Sequence, residues 1–335
     1  MANIRTKIYD IVRLMFSTIA PLSFQRLVER FKERKISDNY ISDNSMKCGN
    51  EVICMIDGKV KHGGLTDRIN GIVSCYNAAN IANRKFKIFF SYPFNLLEFL
   101  VPNEYDWSIT PDEVQYNVNA RPLFIRSLNP SKERKRGLQL LHDIKNNDNK
   151  QIHVYSNINS VDNESFHHIF NKLFIPSVRL NDILDEERKK IGCNYISATF
   201  RFQQLLNDFK EGDYKILSEK CQKNLKSRCL SVIETLHFKY PDKKILVTSD
   251  SKTFLNTVVT LPYVYVISGK MVHMEYNDSN DFFVHVKAFI DLFLISEADI
   301  IHSVVIKPMY ESGFPRFASK INNRPFKVIH VISDI

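Results

Sequence analysis

The sequence predicts an α/β protein, and two observations support that prediction. Short segments rich in Ile, Val, Phe and Tyr alternate with segments of helical periodicity along most of the 335 residues. This alternation indicates parallel strands that are connected by helices packed on the sheet. The apolar content of 44% and the charged content of 25% are ordinary for a globular chain that buries a substantial core.

The individual elements follow from these patterns. The predicted strands are 51–56, 86–91, 151–157, 194–201, 244–249, 263–267, 299–304 and 327–332. Helical patterns are found at 68–83, 164–173, 214–238, 251–258, 283–296 and 310–321. The stretch 102–150 is less periodic, and its basic run Lys132-Glu-Arg-Lys-Arg136 is typical of a solvated loop or a helix start.

Positive charge is concentrated at the amino terminus. Residues 1–35 hold eight Lys or Arg and three Asp or Glu, so their net charge is 8 − 3 = +5 of the total +9. Two helical patterns, 4–19 and 24–34, combine this charge with apolar residues; the second contains Phe24, Leu27, Val28 and Phe31. These patterns favour helices on an anionic membrane surface or, alternatively, helices packed on the protein or a partner. Residues 36–50 are polar and predict a linker.

Cysteine spacing and hydropathy indicate the compartment. The six cysteines show no Cys-x-x-Cys spacing, which favours free thiols in a reducing compartment over disulfides or a zinc site. No signal-peptide pattern and no apolar run of about 18 residues is present. We therefore expect a cytoplasmic protein, peripheral on the inner membrane face if the amino-terminal helices bind lipid.

Glycine is scarce, yet three of the ten glycines lie in the segment GGLTDRING, residues 63–71. Gly63 and Gly64 follow the first predicted strand, where they permit a tight turn and a close backbone approach to a ligand. Asp67 and Arg68 lie in the first turn of the next helix. Asp67 also has an ordinary alternative role as a helix cap. The segment is neither a Walker A loop nor a G-x-G-x-x-G motif.

A second candidate site is the end of strand 194–201. Its last residue, Arg201, lies at the carboxyl end of a predicted parallel strand, where α/β proteins bind ligands. A guanidinium group suits a phosphate bidentately. The alternative is a structural salt bridge to Asp208 or Glu211.

Two further motifs lie in the second half. Strand 244–249 runs into Asp250 and Ser251, either of which is an ordinary helix cap. Asp291 interrupts the apolar helix 283–296 and is therefore expected to be buried, which is costly without a partner. A ligand could supply that partner, and Lys287, one turn earlier, is the alternative. Ser312 opens the last helical pattern and is a reasonable phosphate seat.

Together these four motifs resemble the fucosyltransferases of the α1,2-, α1,6- and protein O-linked groups over residues 51–330. The glycine-rich opening, Thr199-Phe-Arg201, the strand end VTSD, and the segment FIDLFLISEADIIHS with YESGFPRFA match the order and spacing of that family. Three departures stand out. Thr199 replaces the usual histidine, the usual Gly-Asp after the arginine is absent, and Asp67 stands where many members have Asn. The resemblance is to a divergent bacterial branch.

The resemblance implies the GT-B fold, in which two Rossmann-like domains face a cleft and the donor binds the carboxyl-terminal one. The implied domains are a basic amphipathic helical extension and linker (1–45), an acceptor-side domain (46–188), a nucleotide-sugar-binding domain (189–325) and a terminal strand (326–335).

The resemblance also implies an inverting, metal-independent glycosyltransferase that moves L-fucose from GDP-fucose to a glycan or lipid-linked glycan in bacterial surface polysaccharide synthesis. It needs no cofactor, and nucleic acid is not an expected partner. Arg201 is expected to bind the β-phosphate, Asp291 to pair with guanine, and Asp67 to act as the catalytic base or only to shape its loop. The other expected donor contacts are Gly63, Gly64, Arg68, Thr199, Asp250, Ser312, Gly313 and Phe314.

Two other functions remain open from the sequence. A catalytically silent GT-B module would bind a nucleotide sugar or glycan without turnover. A basic interaction protein would use the amino-terminal charge alone, although the sequence lacks the aromatic and basic interleaving typical of nucleic-acid binding. The polar segment NDSND, residues 277–281, is read as a loop rather than a metal-binding Asp-x-Asp motif.

Overall fold

A computed structural model describes residues 22–41, 50–127, 130–147, 150–209, 216–269, 271–272, 274 and 277–331. The predicted helix 4–19 and most of the predicted linker lie outside these residues. The chain forms two compact units. Unit 1 comprises Met1–Leu96 and Pro102–Phe174, and unit 2 comprises Leu97–Val101 and Ile175–Ile335.

Unit 1 is built on a parallel four-stranded sheet in the order β2-β1-β5-β4. Its elements, in chain order, are α1 (Leu22–Ser37), β1 (Glu51–Ile56), α2 (Leu65–Ile81), β2 (Lys85–Phe90), β4 (Ala120–Ile125), α3 (Glu133–Lys145), β5 (Gln151–Ser156) and α4 (Asn163–Leu173). Two short strands, β3 (Leu100–Pro102) and β6 (Phe174–Pro176), belong mostly to unit 2. The short strands β3 and β6 pair with each other at the positions where the chain passes from one unit to the other. Strand β1 is buried from Val52 to Ile56, as expected for a central parallel strand.

Unit 2 is built on a parallel five-stranded sheet in the order β11-β10-β7-β8-β9. Its elements are α5 (Val178–Ile191), β7 (Tyr195–Phe200), α6 (Glu219–Lys239), β8 (Lys244–Ser249), α7 (Lys252–Val258), β9 (Val264–Tyr265), α8 (Phe282–Glu297), β10 (Ile301–Ile306), α9 (Gly313–Ile321) and β11 (Phe326–Val331). Strand β7 is central, and Thr199 is in register with Thr248 of β8 and Ser303 of β10. The carboxyl ends of these three strands therefore share one edge of the sheet.

Helix α1 packs on strand β4 with its charged face inward. Leu27, Val28 and Phe31 are 63%, 44% and 60% exposed, whereas Glu29 and Glu33 are buried. Glu33 accepts the Phe124 N–H at 2.9 Å, and Glu29 accepts the Arg126 N–H at 3.2 Å.

The spacing of these contacts explains the orientation of α1. Residues four apart on a helix are separated by about 6 Å, and alternate residues of a strand by about 6.6 Å. Glu29 and Glu33 thus match the two N–H groups that point outward from β4, which is an edge strand. The preceding outward position is Pro122, which has no N–H. Glu29 and Glu33 thus accept two N–H groups at this edge of the sheet, and Pro122 has none. Fewer N–H groups are therefore left for pairing with the edge strand of another molecule.

Buried ion pairs reinforce this contact. Arg136 pairs with Glu29, while Arg26 pairs with Glu33 at 2.6 Å and with Asp143 at 2.9 Å. Arg136 is only 2% exposed, so the solvated-loop reading of the basic run is wrong, and the helix-start reading is confirmed because α3 begins at Glu133. Helix α1 is therefore an integral part of unit 1 rather than an extension.

The structure also corrects the predicted divisions of the chain. The units divide between residues 174 and 175, not at 188/189, and 97–101 belong to unit 2. Strand β11 is part of the unit 2 sheet rather than a separate terminal element. Ile36 is buried, so the linker does not begin at 36. The sequence patterns missed β4, α3 as an element, and α5.

Among the described residues, no helix is both long enough and apolar enough to cross a membrane. Cys54, Cys75, Cys193, Cys221 and Cys229 are free thiols, as predicted, and Cys48 lies outside the described residues.

Candidate functional site

The glycine-rich turn of unit 1 joins β1 to α2. Gly63 has a φ of +87°, and a Cβ at this position would lie 2.2 Å from an Asp67 carboxylate oxygen, so only glycine fits. Gly64 has a φ of −73°, and a Cβ there would meet nothing within 4 Å. Local structure therefore requires glycine at 63 but not at 64. Gly64 is the N-cap of α2, a position at which glycine is one of the favoured residues.

Asp67 caps the helix that follows this turn. Its Oδ2 accepts the Gly64 N–H at 3.2 Å, and the φ of Gly63 makes room for the carboxylate. This contact is the capping alternative predicted from the sequence. A role for Asp67 as catalytic base stays a prediction.

Arg68 stabilises the same turn through hydrogen bonds to two backbone carbonyls. The side chain is buried, and its Nε donates to the Gly63 carbonyl at 3.1 Å while Nη1 donates to the Tyr92 carbonyl at 2.8 Å. These bonds tie the glycine turn to the segment after β2. Helix α2 also lies directly on the end of β5, because a Cβ on Gly71 would be 2.1 Å from the Ser156 carbonyl oxygen.

A partly buried polar cluster, which the sequence patterns missed, supports the start of this loop. Asp57 follows β1 directly, and its Oδ2 accepts the hydroxyls of Tyr116 and Tyr155, each at 3.1 Å. Lys59 Nζ lies 3.5 Å from the same oxygen and 3.3 Å from the centroid of the Tyr116 ring. Burial, and then the nearby Asp57 charge, raise the pKa of both tyrosines. Both hydroxyls therefore remain protonated donors that hold Asp57 in place.

His62 is a further residue that the motifs did not single out. It precedes Gly63, is 2% exposed, and hydrogen-bonds the Ser156 backbone. Among the described residues its Nε2 has no hydrogen-bond partner. Burial, with Arg68 and Arg126 nearby, lowers the pKa of His62 to about 3, so the ring is neutral. A buried nitrogen without a hydrogen-bond partner destabilises the folded state. In the sequence, the position of His62 directly before Gly63 was the signal that could have identified it.

In unit 2, Arg201 follows β7 at the carboxyl edge of the sheet. Its side chain is 19% exposed, and its Nε lies 3.3 Å from Asp250 Oδ2. The guanidinium carbon also lies 5.1 Å from the centroid of the Phe209 ring. The predicted alternative partner Asp208 instead accepts the Ser251 hydroxyl and the Thr253 N–H, both at 2.7 Å.

Asp250 positions the turn that carries Arg201. It is fully buried and accepts the N–H groups of Phe202 at 2.8 Å and of Gln203 at 2.7 Å. Burial raises the pKa of Asp250, while Arg201 and these bonds oppose that effect. The helix cap of α7 is Ser251, which accepts the Phe254 N–H at 3.0 Å. Asp250 thus acts on the site through Arg201 and the backbone.

Thr199 lies inside the same sheet. Its hydroxyl and that of Thr248 are 2.8 Å apart, and the residue is 7% exposed. The threonine that replaces the family's histidine is therefore bonded across the strands.

Asp291 is buried, as predicted, but it is already paired. Its two carboxylate oxygens lie 2.8 and 2.9 Å from Lys287 Nζ, and the carboxylate is only 1% exposed. Burial raises the pKa of Asp291, and Lys287 opposes that effect. Lys287, the alternative partner, supplies the ion pair that a buried carboxylate requires. Burial of Asp291 therefore no longer supports the expected guanine contact, which stays a prediction.

Ser312 caps helix α9 and leaves few donors for an anion. Its Oγ accepts the Phe314 N–H at 3.3 Å, and Pro315 has no N–H. The further donors at this helix start are the Ser312 hydroxyl and the backbone N–H groups of Ser312 and Gly313. Because α9 follows β10, they lie toward the same sheet edge as Arg201. Among the described residues, no group of three or more His, Cys, Asp or Glu side chains is arranged to hold a metal ion.

Comparison with known proteins bears on the fold. No family model and no curated protein sequence matches the chain. The solved structure of NodZ α-1,6-fucosyltransferase soaked with GDP-fucose superposes with a TM-score of 0.54 at 14% identity, covering 82% of this chain and 92% of that one. A NodZ structure from Bradyrhizobium gives 0.53 at 14% identity, covering 81% and 92%.

A point variant of Arabidopsis thaliana FUT1 in complex with GDP gives 0.53 at 13% identity, covering 98% of this chain and 79% of that one. At such identities the likeness concerns the fold alone, and the predicted α/β class is confirmed. This chain therefore has the two-unit α/β fold, the GT-B fold, of those fucosyltransferases.

Proposed function

We propose that this protein is a fucosyltransferase that moves L-fucose from GDP-fucose to a glycan acceptor, with inversion and without a metal ion or other cofactor. The observation that carries the proposal is Arg201, which follows β7 at the carboxyl edge of the unit 2 sheet and is clamped by buried Asp250. The fold supports it, because NodZ, a fucosyltransferase of that fold, was crystallised and soaked with GDP-fucose.

Arg201 is the group that we assign to the departing diphosphate. Transfer breaks the bond between the sugar and the β-phosphate oxygen, and negative charge develops on GDP. A guanidinium group already held in place stabilises that charge, and each such donor contributes about 3 kcal/mol to the transition state. The Ser312 hydroxyl and the Gly313 N–H, at the start of α9, are the further donors in this assignment.

Acceptor activation is assigned to unit 1. Inversion requires the acceptor hydroxyl to displace GDP in one step, and Asp67 is the candidate base of the glycine-rich turn. Its carboxylate already accepts the Gly64 N–H as the cap of helix α2. We therefore assign Asp67 chiefly to loop shape, with leaving-group stabilisation as the main catalytic effect.

The proposed acceptor is a glycan or lipid-linked glycan of bacterial surface polysaccharide synthesis, reached at the cytoplasmic membrane face. Helix α1 supports this assignment. Its inward face is fixed by buried ion pairs, and Leu27, Val28 and Phe31 are left outward beside Arg30 and Lys35. An apolar stripe with flanking cations suits an anionic lipid surface.

A donor assay tests the proposed activity. The purified protein is incubated with GDP-fucose, GDP-mannose and UDP-sugars, with and without glycan acceptors, and GDP or UDP release is measured. We expect GDP release from GDP-fucose that increases with acceptor. Binding of GDP-fucose without turnover would identify the silent module instead, and no binding of any nucleotide would identify an interaction protein.

Vesicle sedimentation tests the membrane assignment. We expect the protein to bind vesicles that contain phosphatidylglycerol more than vesicles of phosphatidylcholine alone, and less as salt rises. Phe31→Asp with Leu27→Asp should abolish this binding, whereas Val259→Asp, at an exposed apolar residue of unit 2, should not. Equal binding by both variants contradicts the assignment.

A further inference from the structure

We propose that unit 2 binds a single-chain amphiphile with an anionic head group in a trough between helix α6 and strands β10 and β11. The trough encloses about 500 Å³. It is lined by Arg228, Ser231, Val232, Thr235, Leu236 and Lys239 of α6, and by His302, Lys327, Val328, Ile329 and Val331 of the strands. None of these residues belongs to the proposed donor site.

The trough exists because the sheet edge is incompletely covered. Strand β11 is the last strand of the five, and Ile329 and Val331 pack against the core while remaining partly accessible. Strands of parallel sheets are normally covered on both faces. Here the neighbouring helix α6 forms one wall, and the apolar face of the edge strand forms the floor.

The middle of the trough is apolar. Val232 and Leu236 contribute from the helix, opposite Ile329 and Val331 of the strand. Two hydroxyl residues also line it, but the Thr235 hydroxyl donates to the Ser231 carbonyl at 2.8 Å, and the Ser231 hydroxyl donates to the Ser227 carbonyl at 3.3 Å. Their donors are used within the helix, so they offer mainly carbon to a ligand.

The two ends of the trough are basic. Lys327 is in register with His302 of β10, and Lys239 directly precedes Tyr240, whose ring centroid lies 6.3 Å from that of His302, so the two lysines lie at the same end of the trough. Arg228 lies 11 residues before Lys239, or about 16 Å along the helix. None of the described residues that line the trough is acidic. Lys327 makes no ion pair with any residue in the described part of the chain.

These features select the chemistry of the ligand. The volume falls within the usual range of about 300–1,000 Å³ for small-molecule sites, which is too small for a partner helix. An apolar chain would lie along the floor, and a carboxylate or phosphate head would be met by Lys239 and Lys327. Charge complementarity excludes a cationic head, and the apolar floor gives a small polar anion little to contact.

Calorimetry with the full chain tests the proposal. The probes are dodecanoate, dodecyl phosphate, dodecanol and inorganic phosphate, each below its aggregation concentration. We expect dodecanoate, dodecyl phosphate or both to bind at least about tenfold more tightly than dodecanol and inorganic phosphate, a difference of about 1.4 kcal/mol. The tighter of the two anionic probes identifies the head group.

Two variants locate the binding. Lys327→Glu reverses the charge at the head-group end, and Thr235→Trp fills the middle, so each should weaken the anionic probe by about tenfold or more. Lys223→Glu is the matched control, because this exposed lysine lies on α6 outside the trough. Thermal unfolding confirms that each variant is folded. Equal binding of all four probes would overturn the proposal, and so would binding that neither trough variant weakens. GDP release in the donor assay does not depend on either result.

Discussion

The buried charged cluster of unit 1 differs from the setting of Arg201 in unit 2. In unit 1, Arg26, Glu29, Arg136 and Arg68 are buried, and their bonds go to other charged side chains or to backbone groups. In unit 2, the Arg201 side chain is 19% exposed and is held through its Nε. Full burial with mutual pairing marks charges that build architecture, whereas partial exposure with one side clamped marks a charge presented to a ligand.

The largest effect that this comparison predicts is on stability in unit 1. Glu29→Ala leaves Arg136 buried without its carboxylate and the Arg126 N–H without its acceptor. We expect the free energy of unfolding to fall by about 3–5 kcal/mol. Denaturant unfolding measures this loss. Glu311→Ala breaks an exposed pair with Arg316 and should cost less than about 1 kcal/mol; an equal loss in both variants would contradict the comparison.

The next effect is on catalysis in unit 2. Arg201→Ala should lower the rate of sugar transfer by about 10² or more, because about 3 kcal/mol of transition-state stabilisation is lost. Asp250 loses its ion pair but keeps the N–H groups of Phe202 and Gln203, so the variant should remain folded with a lower melting temperature. Arg188→Ala, which removes a part-exposed arginine paired with Glu297 at 2.5 Å, is the control and should keep its rate. Normal turnover by a folded Arg201→Ala variant would contradict the assignment of Arg201 to the departing diphosphate.

Asp291 tests whether a buried charged side chain of unit 2 stabilises the fold or binds a ligand. By the comparison its pair with Lys287 is architectural, so Asp291→Asn should lower the free energy of unfolding by about 2 kcal/mol. The guanine assignment predicts instead that GDP binding weakens while UDP binding is spared. Calorimetry of both nucleotides against both proteins distinguishes these results. An unchanged ratio of GDP to UDP affinity with lower stability assigns the carboxylate to the fold.

The smallest effect follows from two buried histidines of unit 1. The pKa values of His62 and His153 are lowered to about 3, chiefly by burial, from an ordinary value near 6.5. Below about pH 6.5 the unfolded chain takes up protons that the folded chain refuses, so stability falls as pH falls toward 3. At pH 5.5 each histidine should cost about 1.4 kcal/mol relative to neutral pH. Unfolding of His153→Gln at both pH values measures this; a pH dependence equal to that of the unchanged protein would rule out the contribution of His153.

The sequence predicted the buried strands and three of the four edge strands but missed the edge strand β4, for a physical reason. Strands such as β1 and β8 are buried apolar runs, so their composition alone identifies them. Strand β4 carries Arg121 and Pro122, which are typical of a protected edge and unlike a buried strand. Helix α1 was predicted from its spacing, but its orientation depends on N–H groups of β4 about 90 residues later. Spacing within a helix cannot supply that information.

The candidate site shows the same limit. Strand ends located Arg201 and the glycine turn, because the carboxyl edge of a parallel sheet is where such residues act. The sequence did not reveal the residues that contact these side chains from other elements of the fold. Examples are Asp250, which pairs with Arg201, and the two tyrosines that donate to Asp57. For Asp291 the correct partner was one helical turn away and had been identified as the alternative.

The clamp on Arg201 has an entropic consequence. A free arginine side chain samples many rotamers, which represents about 2 kcal/mol of conformational freedom, and fixing it on a substrate would cost part of that in every binding event. Asp250 at Nε and the Phe209 ring restrict those rotamers before any donor arrives. The folding of unit 2 has therefore already ordered the guanidinium, so that, under the proposed function, more of its interaction with the diphosphate would be available for affinity and rate.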